Sequence, residues 1–132
     1  MEGVEKTVFQ CATAKGQWIS VCADAQSAMP SFVQYRFGKP EKVELAKPDV
    51  DAGNLARWSF SERALARGMS RSYRFTTDGY GYEVFVTEAG MDTAAGVVVS
   101  KGEKVLATLT CADQTWSEDF AAVSAIGQTA AP

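Results

Sequence analysis

Histidine is absent from this chain of 132 residues. That absence excludes His-based triads, His general bases and most zinc sites, because imidazole is the side chain that ordinarily titrates near neutrality and the commonest metal ligand. Cysteine is scarce: Cys11, Cys22 and Cys111 are the three present, with no Cys-x-x-Cys pair among them. No metal site is expected of them, and no basic neighbour in sequence marks any as a reactive thiol. Positive charge is short, with 13 Lys and Arg against 16 Asp and Glu and a net charge of -3. Nucleic acid, which requires a basic face, is therefore not an expected partner. No run approaches the ~18 apolar residues needed to span a membrane, so no transmembrane segment is expected. Gly-x-Ser-x-Gly and Ser-x-x-Lys are both missing, and no cofactor-binding motif stands out, so neither a catalytic residue nor a cofactor is predicted.

Apolar material is plentiful. The chain is 46% hydrophobic, with seven Phe, four Tyr and three Trp, enough to fill the core of one domain. The stretch from Tyr73 to Cys111 is the most strongly patterned. Three β-branched and aromatic runs follow one another, from Tyr73 to Thr77, Gly81 to Glu88 and Gly96 to Cys111. Asp78-Gly79, Ala89-Gly90 and Lys101-Gly102 punctuate them as turn dipeptides. The last run folds back on itself at Lys101-Gly102.

Upstream, residues 5–14 and 17–23 predict a first hairpin turning at Lys15-Gly16. A two-residue loop sets Cys11 opposite Ser20 and Phe9 opposite Cys22. Phe9, Cys11, Trp18 and Cys22 then share one face, with Val8, Ile19 and Val21 on the other. Trp18 is buried in this reading, and Trp18→Ala carries an expected cost of about 3–5 kcal/mol. Strands follow from Ser31 to Phe37 and from Glu41 to Ala46. In the second, Lys42 and Glu44 alternate with Val43 and Leu45, an edge-strand pattern. Leu55 to Phe60 reads as a fifth strand, and Ser61 to Ala66 as a helical turn stopped by Gly68. Trp116, Phe120, Val123 and Ile126 recur at helical spacing behind Ser117-Glu118-Asp119, predicting a short C-terminal helix. The expected fold is a single all-β domain over residues 1–132, a small antiparallel β-barrel or sandwich of about eight strands with that helix. Its ordered core is expected over about residues 5–126, with flexible termini.

Three readings of the cysteines stay open: buried thiols in a cytosolic core, a hairpin pair Cys11–Cys22, or a long-range disulfide of Cys111 with Cys11 or Cys22. The long-range pair is favoured because a barrel brings first and last strands together. It would close a loop of about 90–100 residues, worth up to about 4–5 kcal/mol in the chain-entropy model. Met1-Glu2-Gly3-Val4-Glu5-Lys6 has no apolar signal-peptide region. The Ala-, Thr- and Gln-rich ends and the cysteine placement favour a mature periplasmic or secreted domain over a cytosolic one.

Candidate binding residues cluster twice. Asp78, Tyr80 and Tyr82 sit at a hairpin tip, and alternate tips of a meander lie at one end. Tyr80 and Lys101 are thus predicted to be neighbours on one rim. Arginines 57, 63, 67, 71 and 74 form the most basic stretch, in which Arg57 and Arg71 are candidates for an acidic partner. The acidic pairs Glu41 with Glu44, Asp49 with Asp51 and Glu118 with Asp119 support an alternative, a His-independent carboxylate hydrolase. A structural cell-envelope component is the third reading.

Phe9-Gln10-Cys11 early, Leu109-Thr110-Cys111 late, Asp78-Gly79-Tyr80-Gly81-Tyr82 and Ser100-Lys101-Gly102-Glu103 together resemble the small periplasmic β-barrel inhibitors of C-type lysozyme. The resemblance implies an exported binding module, inhibitor-like or immunity-type, that meets a peptidoglycan-cleaving enzyme through its hairpin tips. Asp78 stands where that family carries a loop serine. The stretch from Cys11 to Gly38, with Gln34-Tyr35-Arg36-Phe37-Gly38, is similar to uncharacterised small exported bacterial proteins.

Overall fold

A computed structural model of the chain describes residues 5–24, 30–39, 41–112, 115–121 and 123. Among the described residues ten strands run in chain order: β1 (Glu5–Ala12), β2 (Trp18–Asp24), β3 (Val33–Lys39), β4 (Lys42–Lys47), β5 (Trp58–Leu65), β6 (Gly68–Thr77), β7 (Tyr80–Ala89), β8 (Asp92–Lys101), β9 (Lys104–Thr110) and β10 (Ser117–Glu118). They make two five-stranded antiparallel sheets, ordered β10-β1-β2-β3-β4 and β5-β6-β7-β8-β9. Each is a meander of sequence neighbours, except that β10 returns to the free edge of β1.

Alternation sorts each strand between core and solvent. Phe9, Cys11, Ile19, Val21, Val33 and Tyr35 point inward from the first sheet, while Trp58, Phe60, Tyr73, Phe75, Val84, Val86 and Val97 do so from the second. Aromatic rings bridge the layers, with Tyr35 5.8 Å from Phe75 and 5.4 Å from Tyr82, and Phe9 6.3 Å from Tyr73. Two hydrogen bonds reinforce the seam. The Trp58 indole N–H donates to Val33 O at 2.8 Å, and Val33 N–H donates to Asn54 Oδ1 at 2.7 Å. Buried Asn54 also donates to Asp49 O at 2.8 Å, so its amide fixes the loop that carries the chain between sheets.

The sheets do not close into a barrel. Among the described residues they meet at one corner, through an isolated bridge, Thr13 with Cys111, and Ala112 N–H donating to Ala12 O, so the architecture is a sandwich. Cys11 and Cys111 form a disulfide at that corner, across a sequence separation of 100. Cys22 is a buried free thiol, and burial pushes its pKa up.

Three expectations are corrected. Residues 61–66 do not form a helical turn: β5 continues through Leu65, because Ser61–Leu65 pair residue by residue with β6, including Glu62 opposite Arg71. Leu55–Arg57, expected to begin this strand, is a 3-10 turn. Among the described residues, the helix expected from Trp116 does not begin there. Ser117 and Glu118 instead pair with Gln10 and Phe9, and Asp119 N–H donates to Val8 O at 2.6 Å. Helical geometry appears at Ala121 and Val123, and residues 124–126 lie outside the described residues. The edge of β1 satisfies the backbone that a helix N-terminus would have left open.

The first hairpin is also one residue out of the predicted register. Its loop runs from Thr13 to Gln17, so Ala12 faces Trp18, Cys11 faces Ile19 and Phe9 faces Val21. A bulge between Thr7 and Phe9 buries both Val8 and Phe9. Ile19 and Val21 therefore join Phe9 and Cys11 in the core, while Trp18 goes to the outward face, half-buried. Trp18→Ala is accordingly expected to cost about 1 kcal/mol, well below a core tryptophan. Urea unfolding checks this; a loss above ~3 kcal/mol would return Trp18 to the core.

Candidate functional site

The turn between β6 and β7 is Asp78-Gly79, with φ of 54 and 82. Positive φ at both central residues fits the twist of a two-residue hairpin, which is why Asp-Gly is favoured there. The next turn on this side is Gly102-Glu103 between β8 and β9, with Gly102 at φ 61. Between them, Tyr80 is the direct cross-strand partner of Lys101. The Lys101 ammonium lies 5.3 Å from the Tyr80 ring centroid, a cation–π contact worth about 0.5–1 kcal/mol at an exposed site. The predicted adjacency of Tyr80 and Lys101 is thus present, with two shifts: the turns sit at Gly90-Met91 and Gly102-Glu103 rather than at Ala89-Gly90 and Lys101-Gly102.

A cleft of about 900 Å³ opens at this end, and Asp78, Tyr80, Tyr82 and Arg57 all line it. Tyr82 stacks on Phe75 at 4.9 Å, and burial raises its pKa. Arg57 is held by Asp51, with N–O distances of 2.8 and 3.3 Å. Lys47, at the end of β4, reaches across the mouth. Its ammonium lies 3.4 Å from Asp49 and 3.9 Å from Asp78. Arg74 and Glu83, partners 3.8 Å apart on the outward face of β6 and β7, complete the charged lining. Lys47 and Glu83 were not singled out from the sequence. Nothing in the pattern of β4 marks Lys47, because only the packing of one sheet on the other brings it to this rim.

Arg71 does not join them. It points into the opposite part of the sandwich, where Glu118 accepts from its Nε at 3.0 Å, Glu88 accepts from Nη2 at 2.7 Å and Glu62 lies 3.6 Å away. The side chains of Arg71 and Glu118 are only 12% and 6% exposed, so this is an internal ion network. Tyr73 donates its hydroxyl to the same Glu118 carboxylate. Burial, followed by that carboxylate, drives the Tyr73 pKa far up, and Glu118 does the same for Arg71. The remaining acidic pairs disperse. Asp119 pairs with Lys6 at 3.0 Å, and Glu41 and Glu44 are exposed near and on the edge strand β4.

Among the described residues, no group of three or more His, Cys, Asp and Glu could hold a metal ion, and no helix is long and apolar enough to cross a membrane. No family model, curated protein or solved structure matches this chain.

Proposed function

We propose that this protein is an exported binding module that holds a protein partner at the rim formed by the two hairpin tips. The observation that carries the reading is the pairing of Tyr80 with Lys101 beside an open cleft. A half-buried aromatic ring with a cation on its face supplies apolar area and a directed charge at one point, the pairing enriched at interface hot spots. Lys47 lies between Asp49 and Asp78, so the tip carries a second cation beside its carboxylate, which lessens repulsion from an acidic partner. The Cys11–Cys111 disulfide supports a periplasmic or secreted setting, where such bonds persist. A peptidoglycan-cleaving enzyme with an acidic active-site cleft is the partner class this chemistry fits, and inhibition would follow from the tip occupying that cleft.

Capture from a panel of such enzymes tests the proposal. The double variant Tyr80→Ala, Lys101→Ala is expected to weaken binding by about 2–3 kcal/mol with thermal stability nearly unchanged. Unchanged affinity for a captured enzyme removes the rim. Turnover of a substrate by the chain itself, without a partner, would favour the carboxylate-hydrolase reading.

A further inference from the structure

Among the described residues, β10, β4, β5 and β9 are the strands that end the two sheets. A free strand edge offers unpaired N–H and C=O groups to any extended chain, so native edges are kept short or charged. Three of these edges follow that rule. β10 is two residues long, β4 carries Lys42, Glu44 and Lys47, and β5 carries Glu62 and Arg63. β9 does not. After Lys104 it reads Val105-Leu106-Ala107-Thr108-Leu109-Thr110, without a charge. Val105 and Leu106 are 59% and 48% exposed, an adjacent apolar pair on an open edge. The bulge opposite Val99 and Ser100 bends only the Lys104 end, and residues 107–110 pair one to one with residues 96–99.

The ladder fixes which backbone groups stay open. Cys111 N–H donates to Ala95 O at 2.8 Å, so by alternation Leu109 and Ala107 also bond to β8, and Thr108 and Thr110 turn their N–H and C=O to the free edge. At the next position of that parity, Ala112 N–H donates to Ala12 O at 2.8 Å, and Thr13 bridges Cys111. β1 therefore closes the edge past Thr110. The open stretch, residues 106–110, takes an extended, uncharged strand that stops at this corner. A second copy of β9 meets both conditions. A two-fold axis at Thr108 sets Thr108 opposite Thr108, Ala107 opposite Leu109 and Leu106 opposite Thr110. Thr–Thr pairs are favourable across antiparallel strands. Leu106 gains cover, and no charged side chain lies between residues 105 and 110 to meet its like. An axis at Leu109 would drive Leu106 into Ala12 at the corner, and one at Ala107 would carry the pairing through the bulge to Lys104. One edge strand per side falls well short of the roughly 20–30 residues a side of a standard interface, so the dimer is weak and concentration-dependent.

We propose that β9 is a self-association edge, through which two copies of this chain join their second sheets into one continuous antiparallel sheet. The inference stands without the Tyr80–Lys101 rim. Because β9 begins beside that rim, the joined sheet carries one rim at each end. Sedimentation equilibrium of the full chain, from micromolar to millimolar concentration, tests it. The mass is expected to rise from monomer toward dimer and no further. Leu106→Lys sets a charge on the open edge and should weaken association by about tenfold or more. Thr108→Pro should act likewise, since it removes an N–H that faces the edge rather than β8. Melting curves check that both variants stay folded. Under mild oxidation Thr108→Cys should form an interchain disulfide, because hydrogen-bonded cross-strand positions lie ~5.5 Å apart at Cα. Thr93→Cys, at an exposed position on β8, should crosslink far more slowly. A monomer at every concentration, growth beyond the dimer, a dimer that Leu106→Lys leaves intact, or equal crosslinking at both positions overturns the proposal.

Discussion

Removing the Cys11–Cys111 crosslink, by reduction or by the double change to alanine, is expected to destabilise the protein by about 4–5 kcal/mol. The bond closes a loop with sequence separation 100, so the unfolded chain regains more conformational freedom than it would from a local crosslink. Cys11 is also fully buried, and its loss as a packing element adds to the effect. Urea unfolding with and without reductant reads it directly; a difference below ~1 kcal/mol would contradict it. Cys22 supplies an internal control. Its thiol is buried and its pKa raised, so native alkylation should be slow at every cysteine, and only Cys22 should label after unfolding without reductant.

The second large effect is expected at the internal ion network. Arg71→Ala leaves Glu118, 6% exposed, without its bidentate partner, and should cost about 3–5 kcal/mol. Glu118→Ala should cost less, about 1–3 kcal/mol, since Arg71 keeps Glu88 and Glu62 while the Tyr73 hydroxyl loses its acceptor. Glu118→Gln, which still accepts from Tyr73, should cost less. Replacing Arg71 and Glu118 together by apolar residues of similar size should recover much of the loss, because the desolvation cost of both charges is removed together. A loss within ~0.5 kcal/mol for Arg71→Ala would show that Glu118 and Arg71 are not strongly coupled.

The second sheet was largely legible in the sequence. Asp78-Gly79 names its own turn, so the placing of Tyr80 and Lys101 on one rim follows from the meander, whereas their direct pairing does not: counting from a turn at Ala89-Gly90 sets Tyr80 opposite Val99, and the observed turn lies one residue later. The first hairpin was not. Lys15-Gly16 looks like a two-residue turn, yet the observed loop is longer and shifts every facing residue by one. With apolar residues at Val8, Phe9, Trp18 and Ile19 alike, hydrophobicity alone does not choose between registers. Ser61–Leu65 contains good helix formers, but pairing with β6 overrides so weak a preference. Ser117-Glu118-Asp119 has the chemistry of a helix start, and the competing edge of β1 lies more than 100 residues away in sequence, beyond any local signal. Of the candidate site, the hairpin tip was readable and its cross-sheet lining was not, since Lys47 and Arg57 arrive there through packing of the two layers.

The topology also sets an order of events during synthesis. Within each meander every strand pairs with its sequence neighbours, so contacts form over short loops and quickly. The pairing of β1 with β10 stands apart. Until Ser117 and Glu118 leave the ribosome, β1 presents an unpaired edge beside Val8 and Phe9, two of the most buried side chains in the finished protein. An apolar, unprotected edge is a template for pairing with another chain. The nascent chain is therefore most vulnerable to association after its first hairpin has formed and before Ser117 and Glu118 have emerged. A chaperone that shields extended apolar segments would act in that interval, and truncation before Ser117 should produce aggregates rather than a smaller folded domain.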